Sequence, residues 1–348
     1  KLLFFLFSIF LIKFFFLKNY QLTYLRVFKF ILIIGSIISF NQLMLIMNNK
    51  EANRLFKIWS LIFVVVLFDI IFELIFKSNT MGLNSIIPGR IASFAGNELN
   101  IGHFFSAFCL FFMSFIYLNF KNLSLNLFVG ICLIIISFLI GERSNFVRTI
   151  IIISIFIFLI HEINFKFKIL SLPALIVIFV IFLNYNQGYK TRYINQFTNI
   201  LAKGGISFYF DNSIYGAHYN VAKEIFKDNK FFGVGIKNFR IESFSNKYDN
   251  LNHKENNKRG NTHPHQIHYE FLAETGLVGY LSFTIFIFFS CYLAIKTFIK
   301  NRSLYQLSAI FYVMISLLPL LPSGSFFSTY SSSLFWLNYA IMVSYIKK

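Results

Sequence analysis

Hydrophobic positions along this chain fall in long blocks separated by short polar breaks. A helix needs about 20 mostly apolar residues to cross about 30 Å of hydrocarbon. Blocks of this kind lie at 2–17, 27–47, 58–76, 101–118, 123–140, 146–160, 169–185, 277–295, 304–321 and 330–346. They predict about ten transmembrane helices, the first and sixth being short. One long polar stretch, 186–268, interrupts the series, and within it 217–226 has the pattern of an amphipathic helix. The expected fold is therefore an all-α polytopic membrane protein. Its organisation is N-terminal spans over 1–185, a long and partly helical loop over 186–268, and C-terminal spans over 269–348.

Composition agrees with that pattern. Hydrophobic residues make up 57% of the 348 positions, charged residues 13%, and the mean hydropathy is +0.65. A water-exposed surface needs more charge than this. Phe is abundant, at 50 residues, beside many Ile, Asn and Lys, a bias that an AT-rich genome would also produce. Cys109, Cys132 and Cys291 all lie in apolar runs and read as buried small hydrophobes, with no disulfide or metal framework. The chain opens on Lys1 rather than Met, so further residues are expected before it. Its first block lacks a small-residue cleavage site and reads as a span.

The formal net charge is +18, which in a soluble protein would suggest nucleic acid. Here it divides by topology, because Lys and Arg collect on cytoplasmic loops. Lys50, Arg54 and Lys57, then Lys166 and Lys168, then Lys296, Lys300 and Arg302, and finally Lys347 and Lys348 mark cytoplasmic ends. Segments 77–100, 141–148, 186–268 and 322–329 then face the periplasm. Lys18, Arg26 and Lys29 run against this order, as a miscounted first span or a missing upstream helix would explain. The long loop holds twelve Lys and Arg against six Asp and Glu, and five of the seven histidines. An anionic ligand and attraction to lipid headgroups both account for such a loop.

Candidate chemistry is densest at "THPHQIHYEFLAETGLVGY", 262–280. Pro264 suits the first turn of a helix capped by Thr262 or His263, which would put His265, His268 and Tyr269 on one face. An imidazole at a helix N-terminus is favoured in its neutral form, as a general base requires. Zinc binding by His263, His265 and His268, or a plain polar interface, are the competing readings; the spacing fits no standard zinc set. Glu274 stands at the edge of the hydrocarbon and needs a cationic or imidazole partner. Gly276 and Gly279 suit close helix approach. Gly233 and Gly235 suit a tight turn, and there is no nucleotide-binding motif around them. Arg90 in "GRIASFAGNEL", and Arg143 and Arg148 in "GERSNFVRT", lie on the side that positive charge avoids. Binding phosphate or diphosphate explains them; so does snorkelling to headgroups.

In order and topology these segments resemble the bacterial O-antigen ligase and polymerase family, over roughly 90–282. His265 followed nine residues later by Glu274 and the Glu-x-Gly-x-x-Gly run carries most of the resemblance. "FFGVGIKNF" behind a short helix, "GRIASFAGNEL" and "GERSNF" carry the rest. The family implies a GT-C-like, metal-independent glycosyltransferase without a cofactor in the bacterial inner membrane. It would move a glycan from an undecaprenyl-diphosphate carrier to lipid A-core or a saccharide at the periplasmic face. By match of motif, His265, Arg90 and Arg143 are the expected catalytic residues. His218, Arg240, Arg148, Glu274 and His268 are the expected substrate contacts. His218 stands where the family usually has arginine, and Arg240 or Arg192 would compensate.

The implied chemistry is a single in-line displacement with inversion. Arginines neutralise the leaving diphosphate, and His265 removes the acceptor's proton. Expected partners are the lipid-linked donor, the acceptor and membrane lipids, with no nucleic acid. Ligase and polymerase differ only in the acceptor. A transporter or flippase is the rival from another class, favoured by Asp69 and Glu73 one helical turn apart in the third span. A scaffold or sensor with a ligand-binding loop is a weaker third.

Overall fold

A computed structural model describes residues 20–159, 184, 187–195, 198–199, 202–319 and 321–346. The first and seventh expected spans, and the basic markers Lys166, Lys168, Lys347 and Lys348, lie outside or almost wholly outside these residues. Every regular element described is helical. The main ones are α1 (Tyr20–Ile46), α2 (Asn49–Phe76), α3 (Ile101–Phe120), α4 (Leu123–Ile140) and α5 (Arg143–Leu159). They are followed by α6 (Gly205–Asn212), α7 (Ile214–Asp228), α8 (Ile267–Asn301), α9 (Leu304–Ser316) and α10 (Thr329–Ser344). Among the described residues, Lys50–Phe76, Ile101–Phe120, Leu123–Ile140 and Ile267–Asn301 are long and apolar enough to cross a membrane, and Ile31–Ile46 and Leu304–Ser316 are shorter apolar helices.

The chain divides into two compact units. One comprises Met44–Asn199 and Arg302–Ile315. Its helices begin and end where local chemistry dictates. Asn48 and Glu51 form a reciprocal capping box at the start of α2. Lys77 and Lys121 close α2 and α3 in the left-handed conformation. On α2, Phe56, Phe63 and Ile70 are fully buried while Phe68 and Ile75, at 61% and 65% exposure, face outward. An apolar face turned outward is suited to lipid rather than water. Interhelical polar contacts fix the packing. Ser114 Oγ lies 2.9 Å from Ser308 Oγ, Tyr305 donates to Asn53 at 2.9 Å, and the Tyr305 ring stacks on Phe56.

The other unit contains Ile200–Asn301 and Ser316–Lys348, with the chain up to Leu43. Here α7 packs through Val221, Ala222 and Ile225 against Phe239, Tyr248 and Ala273, so the polar loop carries a core of its own. α8 is interrupted at Gly276 (φ 61°, ψ −172°), a conformation open essentially to glycine alone. The segment from Lys230 to Gly235 lies along this break. Val234 and Gly235 donate to the carbonyls of Ala273 and Glu274 at 2.9 Å each. Leu277 and Val278 donate to those of Lys230 and Phe231 at 2.7 and 3.1 Å. A Cβ on Gly276 would meet the Phe231 carbonyl at 2.5 Å. The two glycine motifs are thus one joint, and the close approach at Gly276 is to loop backbone, where helix packing had been expected. Beyond it, Phe271, Phe283, Phe326, Phe335 and Trp336 form a contiguous aromatic cluster, which gives part of the Phe content a structural role.

Candidate functional site

The unit built on α2–α5 gathers arginines around Glu142. The glycine-closed end of α4 makes this possible. Gly141 (φ 80°) lies so close to the Gly89 carbonyl that a Cβ would overlap it, and Gly89 in turn packs on the backbone of Gly188. Ile91 donates to the Ile140 carbonyl at 3.1 Å. The segments carrying Arg90, Arg143 and Arg192 are thereby held together. Arg90 pairs with Glu142 at 3.6 Å and donates to the Leu99 carbonyl, while its buried Nε has no hydrogen-bond partner among the described residues. Glu142 also accepts the Gly102 N–H at 2.8 Å and the Asn145 amide. Arg148, buried, donates to Asn145 Oδ1 at 3.2 Å. Arg192 clamps the Gly141 carbonyl at 3.0 and 3.2 Å, and the exposed Arg143 donates to the Arg192 carbonyl at 3.3 Å. Arg192 lies on a turn of π-helix, Lys190–Asn195, a distortion that often marks functional sites. Four guanidinium groups gather around Glu142, outnumbering the carboxylates of this region, an arrangement suited to binding an anion.

Asp69 and Glu73 support the same region. Asp69 accepts from the Thr80 N–H at 2.9 Å and the Ser93 hydroxyl at 2.6 Å; Glu73 accepts from the N–H groups of Ala92 and Ser93 at 2.9 and 2.6 Å. Carboxylates near a helix C-terminus oppose its dipole, and these donors offset that cost. The pair that suggested transport anchors the loop next to Arg90.

The second group of polar side chains belongs to the unit built on α7 and α8. The expectation of a helix from Pro264 is corrected here: α8 begins at Ile267, capped by the Gln266 side chain, which accepts the Tyr269 N–H at 2.9 Å. His265 precedes the helix at φ 58°, and its carbonyl turns away to accept the Ser323 N–H at 2.8 Å. His265 and His268 therefore do not share a helix face. His268 is tied down separately, with Nε2 donating to the Leu317 carbonyl at 2.8 Å and Nδ1 3.1 Å from the Tyr280 hydroxyl.

His265 instead meets His218 from α7. Their ring centroids are 5.4 Å apart, with His263 at 4.1 Å and Tyr215 at 5.3 Å from the His265 ring. Asn261 Nδ2 lies 3.1 Å from His218 Nε2 and 3.2 Å from His265 Nε2. His218 Nδ1 lies 3.0 Å from the Arg259 carbonyl. Burial lowers the basicity of all three imidazoles; it brings His265 down to about 4, with the nearby His218 adding to the effect. They are neutral at pH 7. An amide donor occupies the space between the two Nε2 atoms, where a shared zinc ion would have to sit.

Below this group Glu274 is fully buried and accepts the N–H groups of Lys237 and Phe239 at 2.7 and 3.3 Å, so it holds the glycine turn against α8. Lys237 donates to Ser325 and Ser325 to Glu270, which also accepts the Phe326 N–H at 2.7 Å. Arg240 follows on a short turn, half-buried, with no hydrogen-bond partner for its Nε among the described residues. Lys237, Glu142 and Asn261 were not singled out from the sequence. Glu142 was next to a named arginine, but nothing in the spacing of Asn261 marks it.

Among the described residues, four helices long and apolar enough to cross a membrane stand beside an arginine-rich region and a group of buried imidazoles, which defines a membrane protein. Residues 127–284 match the family model described as O-antigen ligase. Arg143, Arg148, Arg192, His218, Arg240, His265, His268 and Glu274 fall within it, and Arg90 precedes it. No curated protein matches the chain. The family supports glycan transfer of the ligase or polymerase kind, on lipid-linked glycan and acceptor substrates.

Proposed function

We propose that this chain is an O-antigen ligase-type glycosyltransferase of the bacterial inner membrane. It moves a glycan from undecaprenyl diphosphate to lipid A-core or a saccharide acceptor at the periplasmic face, without a metal ion, on a GT-C-like fold of about ten spans. The observation that carries this reading is the match of residues 127–284 to the O-antigen ligase family model, within which His265 is a buried imidazole kept neutral at pH 7. In the reaction the acceptor hydroxyl gives its proton to His265 Nε2 and its oxygen bonds to the anomeric carbon. The bond from that carbon to the diphosphate breaks, and the diphosphate leaves with the electron pair. Arg90 and Arg143 stabilise its charge; Arg148, Arg240 and His218 contact the substrates, with His268 and Glu274 supporting the loop.

Purified protein in bilayers with lipid-linked donor and acceptor tests the base assignment. His265→Ala is expected to lower kcat by about 10²- to 10⁴-fold with donor KM little changed. Normal transfer by this variant would sink the assignment. The length of the glycan attached distinguishes whole-chain ligation from stepwise polymerisation.

A further inference from the structure

His218 and His265 present their Nε2 atoms to one amide, and that amide's orientation is determined by its other end. Asn261 Oδ1 lies 2.6 Å from the Thr262 backbone N–H and 3.3 Å from its hydroxyl. A backbone N–H only donates, so the atom facing it is the oxygen and the NH2 faces the imidazoles. An amide nitrogen has two hydrogens to donate and accepts none. Each Nε2 must therefore present a lone pair. The opposite side of His218 gives the same answer independently. A carbonyl oxygen only accepts, so the Nδ1 that faces the Arg259 carbonyl carries the proton. The Asn261 backbone is itself held by the buried Ser243, whose Oγ lies 3.3 Å from its N and 3.4 Å from its O.

We infer that Asn261 is a positioning residue for the proton transfer, its amide holding His265 in the Nδ1–H tautomer so that Nε2 faces the incoming hydroxyl. This rests on His265 being the base. At rest the amide N–H occupies the Nε2 lone pair; the acceptor hydroxyl replaces that bond on arrival. Once the proton has moved, Nε2–H faces an N–H donor, a mismatch that favours release of the proton and return of the base. The groups facing His265 are His218 and Tyr215 from α7, and Asn261 and His263 from its own loop, with the Lys237 cation acting on His263. The titratable group acting most directly on His265 is His218, itself kept neutral by burial.

The test is Asn261→Asp, read by the pH profile of kcat and by 15N spectra of histidine-labelled protein, with the His265 signal assigned from His265→Gln. A carboxylate in place of the NH2 accepts where the amide donated. It should turn His265 to the Nε2–H form, move the acid limb of kcat to higher pH, and lower the plateau about 10-fold or more without raising donor KM. Asn261→Ala should lose the defined tautomer without the upward shift. Amide protection at Val234, Gly235, Leu277 and Val278, whose backbone hydrogen bonds do not involve Asn261, reports whether each variant is folded; Asn261→Ser serves where Asp is not tolerated. A folded Asn261→Asp with wild-type tautomer and acid limb overturns the inference. If His265→Ala transfers glycan normally, the base reading itself fails, and the tautomer spectra still decide whether Asn261 sets the ring.

Discussion

The arginine region and the histidine region solve opposite problems. Around Glu142 charge is permanent: Arg90 and Arg148 are largely buried, and the Glu142 carboxylate beside them is paired and hydrogen-bonded. Removing charges from water costs several kcal/mol per ion unless partners satisfy them. Here the partners are backbone carbonyls, an amide and the Glu142 carboxylate, fewer negative charges than there are guanidinium groups. Around Asn261 the polar groups are kept neutral, and burial makes a charge on any imidazole unfavourable. The first arrangement suits binding an anion that is present throughout; the second suits a proton that arrives only during the reaction. A cationic site can therefore be built from side chains that never titrate, whereas the base must be held uncharged by its surroundings.

The largest test of this contrast uses substitution in the arginine region. Arg90→Ala should lower kcat/KM for the lipid-linked donor by about 10²- to 10³-fold, with donor KM raised as well as kcat lowered. His265→Ala, by contrast, should act on kcat alone. Arg90→Lys should recover only a small part of this, because one ammonium cannot replace a fork that reaches both Glu142 and the Leu99 carbonyl. Steady-state kinetics with varied donor check both statements. Equal losses in kcat for the Arg90 and His265 variants, with KM unmoved in both, would erase the distinction.

Each region also depends on one glycine contact. Gly276→Ala would set a Cβ against the Phe231 carbonyl at a backbone angle that L-residues rarely adopt, and Gly141→Ala would do the same against Gly89. Costs of about 2–4 kcal/mol are expected for each. The consequences should differ. Gly276→Ala should lose amide protection across 230–278, where four backbone hydrogen bonds close the joint. Gly141→Ala should instead weaken donor binding while leaving that protection in place. Hydrogen exchange by mass spectrometry, alongside donor KM, separates the two.

How much of this could be read from the sequence depends on the range of the interaction. α4 occupies 123–140 as expected, and α3 starts at Ile101, because apolar runs end at Asn122, Gly141 and Lys121, residues that cap or close helices locally. His265 and Arg90 are singled out by the motifs they share with the family. The start of α8 was misread because Pro264 signals a helix that His265, turned towards Ser323, does not enter. Asn261 bridges two histidines 43 and 4 residues away in opposite directions, a contact that no local periodicity encodes. The same holds for Asp69, whose partners lie 11 and 24 residues on.

The smallest effect, and the one with opposite sign in the two regions, is the response to acid. An unfolded histidine takes up a proton near pH 6.5, whereas folded His265 does so at about 4 and His218 below its ordinary value, burial being the main cause. Between about 6.5 and 4 the unfolded state therefore binds more protons, and the histidine region loses stability as pH falls through that window. It should be indifferent to pH above it. Glu142 is displaced the other way: burial raises it, against the pull of Arg90, so its folded form holds a proton more readily and acid does not weaken its surroundings. Hydrogen exchange corrected for intrinsic rates should show protection in 213–266 falling between pH 7 and 5, while 89–145 keeps its protection. Replacing His218, His263 and His265 together by Gln should flatten the first trend, because all three imidazoles are depressed by burial. If both segments open together on acidification, or the triple variant still responds, neutral burial of the imidazoles is not what distinguishes the two regions.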